Sequence, residues 1–213
     1  MPSKKISIID YGCGNILNLA RAIRFLGYEA ETTHDRKKII ESSHVILPGV
    51  GAFGNAIKQL EKYSLNNTIL EYAKLNKPLL GICLGMQILF TLSHEFGVNK
   101  GLNLIEGEVV KISNKKNNEI KIPHVGWNEI RPKNNKKEWN NKILQNSLIG
   151  KSFYFVHSFA CMTKDPASTV AICEYSGISI PAVVSSGNIF GCQFHPEKSA
   201  DNGLVILKRF CEI

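Results

Sequence analysis

The chain has 213 residues, 44% of them hydrophobic and 21% charged, the balance of a globular domain with a core of its own rather than of a disordered or fibrous protein. No apolar run reaches bilayer length, and Met1-Pro2-Ser3-Lys4-Lys5 leads straight into a short apolar strand rather than a signal-peptide core, so the sequence reads as a single cytoplasmic domain over 1–213 with no membrane role. The net charge of +8 suggests nucleic acid until it is located: residues 111–142 hold nine Lys or Arg against three Glu, with eight Asn among them, the composition of solvated loops rather than of a binding stripe, and no nucleic-acid partner is expected.

In chain order, Ile6 to Ile9 reads as a buried strand that enters the turn Asp10-Tyr11-Gly12-Cys13-Gly14-Asn15. That turn lacks the third glycine and the downstream acidic residue of a dinucleotide site, and reads as a tight strand-to-helix connection. Ile16, Leu19, Ala20, Ile23 and Leu26 recur at helical spacing and Gly27 ends the helix. A strand over 28–33, a short helix over 36–41 and a third strand over 44–47 follow. The third strand runs into Pro48-Gly49-Val50-Gly51-Ala52-Phe53-Gly54, whose glycines leave backbone N–H groups free to turn toward an anion. Helices over about 54–63 and 65–76 lead to Lys77-Pro78-Leu79-Leu80, a fourth strand. This alternation predicts a parallel sheet with helices on both faces and chemistry at the carboxyl ends of the strands.

The fourth strand turns at Gly81-Ile82-Cys83-Leu84-Gly85-Met86-Gln87 into a helix expected over 84–91. A strand that turns sharply into a helix around G-x-C-x-G is the thiol version of a nucleophile elbow. The nucleophile on such a turn sits in a strained backbone conformation, and its neighbours must have almost no side chain. The N–H of Leu84 would point at the place where an oxyanion forms.

The second half is richer in strands, expected near 108–112, 119–122, 126–131, 152–158, 169–174, 179–185 and 189–194, with a hairpin turn at Gly187-Asn188 and an amphipathic helix from Gly203 to Cys211. Six cysteines, at 13, 83, 161, 173, 192 and 211, make no C-x-x-C pair and are expected as free thiols. The C-x-x-H spacing of Cys192 and His195 has no second ligand pair nearby, so neither a metal nor a cofactor is expected. In Gln193-Phe194-His195-Pro196-Glu197, Pro196 pushes His195 into an extended conformation, and residues i and i+2 of an extended segment face the same way. A thiol needs a base, and the base an orienting carboxylate. Cys83, His195 and Glu197 would supply all three roles.

Gly81-Ile82-Cys83-Leu84-Gly85-Met86-Gln87 with Gln193-Phe194-His195-Pro196-Glu197 resembles the class I (triad) glutamine amidotransferases. Asp10 to Asn15, Leu47 to Phe53, Pro123-His124-Val125-Gly126-Trp127-Asn128, Tyr154-Phe155-Val156-His157-Ser158 and His195 to Ser199 stand in the order found in one subfamily, the glutaminase subunits of imidazole glycerol phosphate synthase. The resemblance implies an α/β, flavodoxin-like fold: a central, mostly parallel sheet with flanking helices and an added antiparallel region in the second half. It implies that Cys83 attacks the side-chain amide of L-glutamine, that His195 activates the thiol and protonates departing ammonia, and that Glu197 orients the imidazole. Gly51 and Leu84 would offer N–H groups to the oxyanion, and Gln87, Glu95 and Ser158 would bind glutamine. The partner implied is a (β/α)8-barrel cyclase, facing Asn15, Trp127, Tyr154 and Lys198 in a heterodimer. Ammonia passing through the barrel would yield imidazole glycerol phosphate and an aminoimidazole carboxamide ribotide in histidine biosynthesis. The free subunit is then expected to be nearly silent, its Pro48–Gly51 turn holding N–H groups away from the oxyanion site until the liganded partner docks.

Val125 and Phe159 stand where the family commonly has Met and Tyr. Ser93-His94-Glu95-Phe96-Gly97 also resembles paralogues that supply ammonia for sugar amidation in surface-polysaccharide synthesis through a similar barrel, an alternative acceptor. An alternative of another class is an interaction protein that has lost its chemistry, against which the intact Cys83, His195 and Glu197 argue.

Overall fold

The computed structural model describes residues 4–113, 120–133 and 137–213. Its first half alternates as the sequence predicts: β1 (Lys5–Ile9), α1 (Ile16–Phe25), β2 (Glu29–Thr33), α2 (Arg36–Glu41), β3 (His44–Leu47), α3 (Phe53–Lys62), α4 (Leu65–Lys74), β4 (Leu79–Ile82) and the short α5 (Leu84–Ile88). There follow β5 (Phe90–Ser93), β6 (Asn99–Lys100), β7 (Ile105–Lys111), β8 (His124–Glu129), β9 (Arg131–Pro132), β10 (Ser152–His157), β11 (Phe159–Thr163), β12 (Thr169–Tyr175), β13 (Ile178–Ser186), β14 (Ile189–Cys192) and α6 (Ala200–Glu212).

Among the described residues the main sheet has eight strands in the order β2-β1-β3-β4-β14-β13-β12-β9. β2, β1, β3, β4 and β14 are mutually parallel, and β13, β12 and β9 extend the sheet antiparallel. The strand periodicity of two divides the core between the two faces. Ile6, Ile8, Ile46, Leu80 and Ile82 pack toward α1 and α6, against Leu19, Ile23, Ile206 and Phe210. Ile9, Val45, Leu47 and Leu79 pack on the other face against Ala56 and Leu60 of α3 and Ile69 of α4. Because β3, β4 and β14 are covered on both sides, they read as unbroken apolar runs. The loops after β1, β3 and β4 therefore emerge together at the carboxyl end of the sheet, which is where a doubly covered parallel sheet leaves room for a ligand.

Two smaller sheets lie beside this one, β11-β7-β5-β6 and the antiparallel pair β10-β8. They account for most of the corrections to the expected elements. The helix expected over 84–91 stops at Ile88, and Phe90–Ser93 becomes a strand. Leu102 N bonds to Ile88 O at 2.8 Å, and Leu104 N and Ile105 N bond to Leu89 O at 2.8 and 3.0 Å, which takes the carbonyls a longer helix would have used. Gly101 allows this approach, since a Cβ there would collide with the Phe90 carbonyl. β5, β6 and β11 are strands that the sequence pattern does not reveal. The strand expected over 119–122 is absent at 120–122, and residue 119 lies outside the described residues. The strand expected over 126–131 is two, β8 and β9, broken at Ile130. The Gly187-Asn188 hairpin forms, with Ser186 paired to Ile189. All six cysteines are free thiols. Among the described residues no helix is long and apolar enough to cross a membrane.

Candidate active site

Cys83 sits between β4 and α5 with φ 53° and ψ −109°, a conformation that costs a side-chain-bearing residue about 1–3 kcal/mol and persists only where its surroundings impose it. The restraints are local. Cys83 N donates to Cys192 O at 2.7 Å, and its carbonyl accepts from Gln87 N at 3.1 Å. The flanking glycines are needed for space: a Cβ on Gly81 would lie 2.7 Å from Gly85 O and from Met86 N, and one on Gly85 would enter the Leu47 carbonyl. The turn is thus pressed against β3. The Cys83 thiol donates to Val156 O at 3.8 Å and accepts from Gln193 Nε2 at 3.9 Å.

His195 is held by its backbone as much as by its ring. Its N–H donates to Tyr154 O at 2.9 Å, and its carbonyl accepts from Ser199 Oγ at 2.7 Å, while that hydroxyl accepts from Tyr154 N at 3.0 Å. Its backbone is extended, φ −96° and ψ 98°, as expected, but Pro196–Lys198 forms a 3-10 turn. Glu197 therefore reaches the ring by a turn rather than by strand alternation, which corrects the i and i+2 expectation while leaving the pair intact. Nδ1–H donates to Glu197 Oε1 at 2.9 Å, with side chains only 2% and 3% exposed. The bond fixes the tautomer and leaves Nε2 for the thiol. Nε2 and Glu197 Oε2 have no hydrogen-bond partner among the described residues. Burial works against a charged ring here, but the neighbouring Cys83 sulfur and the Glu197 carboxylate outweigh it, and the imidazole is lifted from 6.5 to about 9.

Cys83 and His195 share a cavity of about 410 Å³ with Gly51 and Leu84. Gln87, Glu95 and Ser158 line the same cavity, so seven residues expected from five separate stretches of chain converge on one volume. Gln87 is buried and donates from Nε2 to Phe159 O at 3.2 Å and to Gln193 Oε1 at 3.3 Å. Glu95 accepts from Phe53 N at 2.6 Å; it caps α3 directly after the Gly51 turn, whose Gly51 has φ 109°. A larger cavity at β5, β7 and β11 and another beside Trp139 contain none of these residues.

Of the four residues expected to face a partner, Lys198 lines the cavity, and the others are joined to it or to Glu197 by side-chain contacts. Lys198 is exposed, lines the cavity and lies 5.7 Å from the Tyr154 ring. Tyr154 meets Trp127 edge to face at 6.1 Å, and Asn15 Nδ2 contacts Glu197 Oε1 at 3.5 Å. Trp127 and Val125 are each 53% exposed.

Residues 7–212 match the family described as glutamine amidotransferase class-I. The chain belongs to that family. This amidotransferase is 42% identical over 210 residues to a Legionella pneumophila protein named imidazole glycerol phosphate synthase subunit HisH 1, covering 98% of this chain and 99% of that one. It is 45% identical over 208 residues to the subunit HisH of Caldanaerobacter subterraneus, covering 98% of each. Among solved structures, its fold superposes on the Thermotoga maritima structure of PurLQS with a TM-score of 0.72 at 19% identity, over 99% of this chain and 98% of that one. The amidotransferase thus has the class I fold that the sequence motifs imply.

Sequence reasoning does not single out four groups that build the site. Gln193 and Ser199 stand inside quoted motifs, but their partners are 110 and 45 residues away. Tyr11 is buried and its hydroxyl donates to Pro48 O at 2.7 Å, anchoring the glycine turn. His157 lines the cavity from beneath.

Proposed function

We propose that the amidotransferase hydrolyses L-glutamine to glutamate and ammonia through Cys83, His195 and Glu197. The convergence of the Cys83 elbow and the His195–Glu197 pair with Gln87, Glu95 and Ser158 in one cavity carries this reading. Cys83 Sγ attacks the side-chain carbonyl, its proton already held on His195 Nε2, whose imidazole is lifted to about 9. The oxyanion takes N–H groups from Gly51 and Leu84. The imidazolium then protonates the departing nitrogen, the thioester remains, and water, activated by the neutral imidazole, releases glutamate. Glu95, which lines the cavity, would receive the substrate's α-ammonium group. The reading needs no cofactor.

The ammonia goes to a (β/α)8-barrel cyclase docked over Asn15, Trp127, Tyr154 and Lys198, and the heterodimer makes imidazole glycerol phosphate and aminoimidazole carboxamide ribotide in histidine biosynthesis. The names of the relatives support this acceptor. Chemistry supports a closed path, because ammonia in neutral water is mostly ammonium and not a nucleophile. Glutamine hydrolysis by the purified chain, alone and with the cyclase of the same organism with and without its nucleotide ligand, tests the proposal. Strong stimulation by the liganded cyclase is expected. High activity of the isolated chain would remove the gating by the Pro48–Gly51 turn. No stimulation, with Cys83 still labelled by a glutamine analogue, would move the acceptor to a sugar-amidating partner.

A further inference from the structure

Beneath the glutamine cavity the structure holds a row of hydrogen-bonding groups that the triad does not use. His157 Nδ1 lies 2.8 Å from Phe159 O, the carbonyl that also accepts from Gln87 Nε2. His157 Nε2 lies 3.0 Å from His124 Nδ1. His124 Nε2 lies 3.2 Å from Asn128 Oδ1. Asn128 Nδ2 donates to Glu174 O at 3.0 Å, so the amide presents its oxygen to the histidine. The row begins at β8, whose Val125 and Trp127 are exposed, and ends at a wall of the cavity on either side of Ser158.

The protons on this row do not balance for two neutral rings. Both ends are acceptors, Phe159 O and Asn128 Oδ1, so His157 Nδ1 and His124 Nε2 must each carry a hydrogen. The inner contact between the rings needs one more. Two neutral imidazoles bring two hydrogens to three contacts, and one contact always stays open. If the open one is at Phe159, the carbonyl that fixes Gln87 loses its second donor. A single added proton closes all three. His124 is fitted to hold it: its ring stacks on Tyr175 at 4.0 Å and on Phe155 at 4.9 Å between centroids, and aromatic faces attract a cation.

We propose that His124 and His157 are positioning residues that bind one shared proton and, in doing so, complete the row that holds the Phe159 carbonyl and Gln87 against the glutamine cavity. The pair thereby sets a pH dependence of glutamine binding separate from that of the triad. The consequence for glutamine rests on the function proposed above; the proton count does not. Burial lowers the proton affinity of both rings, His157 to about 4, so uptake falls on the acid side of neutrality and a second proton is resisted. The titratable and charged groups around the pair are His195 and Lys198 at the cavity, Tyr175, whose hydroxyl donates to Lys121 O, the exposed Lys121 itself, and Glu174, whose carboxylate is turned to Arg131 at 3.1 Å.

Side-chain ¹⁵N shifts of His124 and His157 in the wild-type chain, followed from about pH 8 to about pH 5, read the count directly. One proton taken up by the pair, with both rings shifting together, is expected. Rings that titrate independently, or take up two protons or none, overturn the proposal whether or not the chain is a glutaminase. In the cyclase complex, KM for glutamine should fall about fivefold over the same acid-going range with kcat following the triad alone, the size of one ordinary hydrogen bond. Asn128→Ala removes the acceptor that demands the extra proton, so its KM should be flat with pH. An unchanged pH dependence of KM in Asn128→Ala overturns the positioning role.

Discussion

At the scale of single residues, Cys83 separates from the rest of the site because in the proposed reaction it alone would form a covalent bond. Cys83→Ala is expected to abolish glutamine-dependent synthesis in the cyclase complex and to leave synthesis from added ammonium salts; glutaminase activity retained by the variant would remove Cys83 from its role. Burial holds the Cys161, Cys173, Cys192 and Cys211 thiols above their ordinary range, which leaves them poor nucleophiles. Labelling by a thiol-reactive glutamine analogue should therefore map to the Cys83 peptide. For Glu197 the prediction is a pH profile. The carboxylate helps to hold His195 near 9, and in the proposed reaction the imidazolium would be the acid that releases ammonia. Glu197→Gln should lower kcat about a hundredfold or more and move the alkaline limb of kcat/KM to lower pH. A limb that stays in place would show that Glu197 does not set the protonation of His195.

At the scale of elements, the elbow depends on β3 as much as on its own glycines. A methyl group on Gly85 would enter the Leu47 carbonyl, backbone that cannot move without shifting a central strand. Gly85→Ala is expected to cost about 3 kcal/mol, read as a lowered denaturation midpoint, and to lose activity even where the chain folds. Tyr11→Phe leaves the Pro48 carbonyl without its donor and should cost about 1 kcal/mol. The elements themselves were unequally legible. β1 to β4 and their helices could be read because a parallel strand covered on both faces must be apolar throughout and its helices must be amphipathic. β5 and β11 could not: Phe90 and Thr91 continue a helical pattern, and only the pairing of Phe90–Ser93 with β6 and β7 and the approach of Gly101 make it a strand.

At the scale of the whole molecule, buried histidines set opposing pH limits. His44 is pushed down by burial to about 4. The unfolded chain binds a proton before this ring does, so the stability it retains above about 6.5 is lost progressively as pH falls toward 4. His195 runs the other way. Its folded value of about 9 lies above the unfolded 6.5, so its contribution is complete below 6.5 and lost as pH rises through 9. Tm should therefore peak near pH 6.5 and decline on both sides, and His44→Gln should shallow the acid limb alone. An acid limb unchanged by that substitution would place the loss elsewhere.

The sequence by itself determined the doubly covered parallel sheet, the elbow at Cys83 and the pairing of His195 with Glu197. Each follows from local chemistry: glycines where two backbones touch, an apolar run where both faces are covered, a proline that extends the histidine before it. The tertiary structure decided how these parts meet. That Glu197 reaches His195 through a 3-10 turn, that Ser199 and Tyr154 lock the histidine backbone, that Tyr11 anchors Pro48 and that His124 and His157 share a contact all depend on residues brought together from distant stretches of chain. A sequence carries no record of such distances, because hydrogen bonding and close approach act through space and not along the chain.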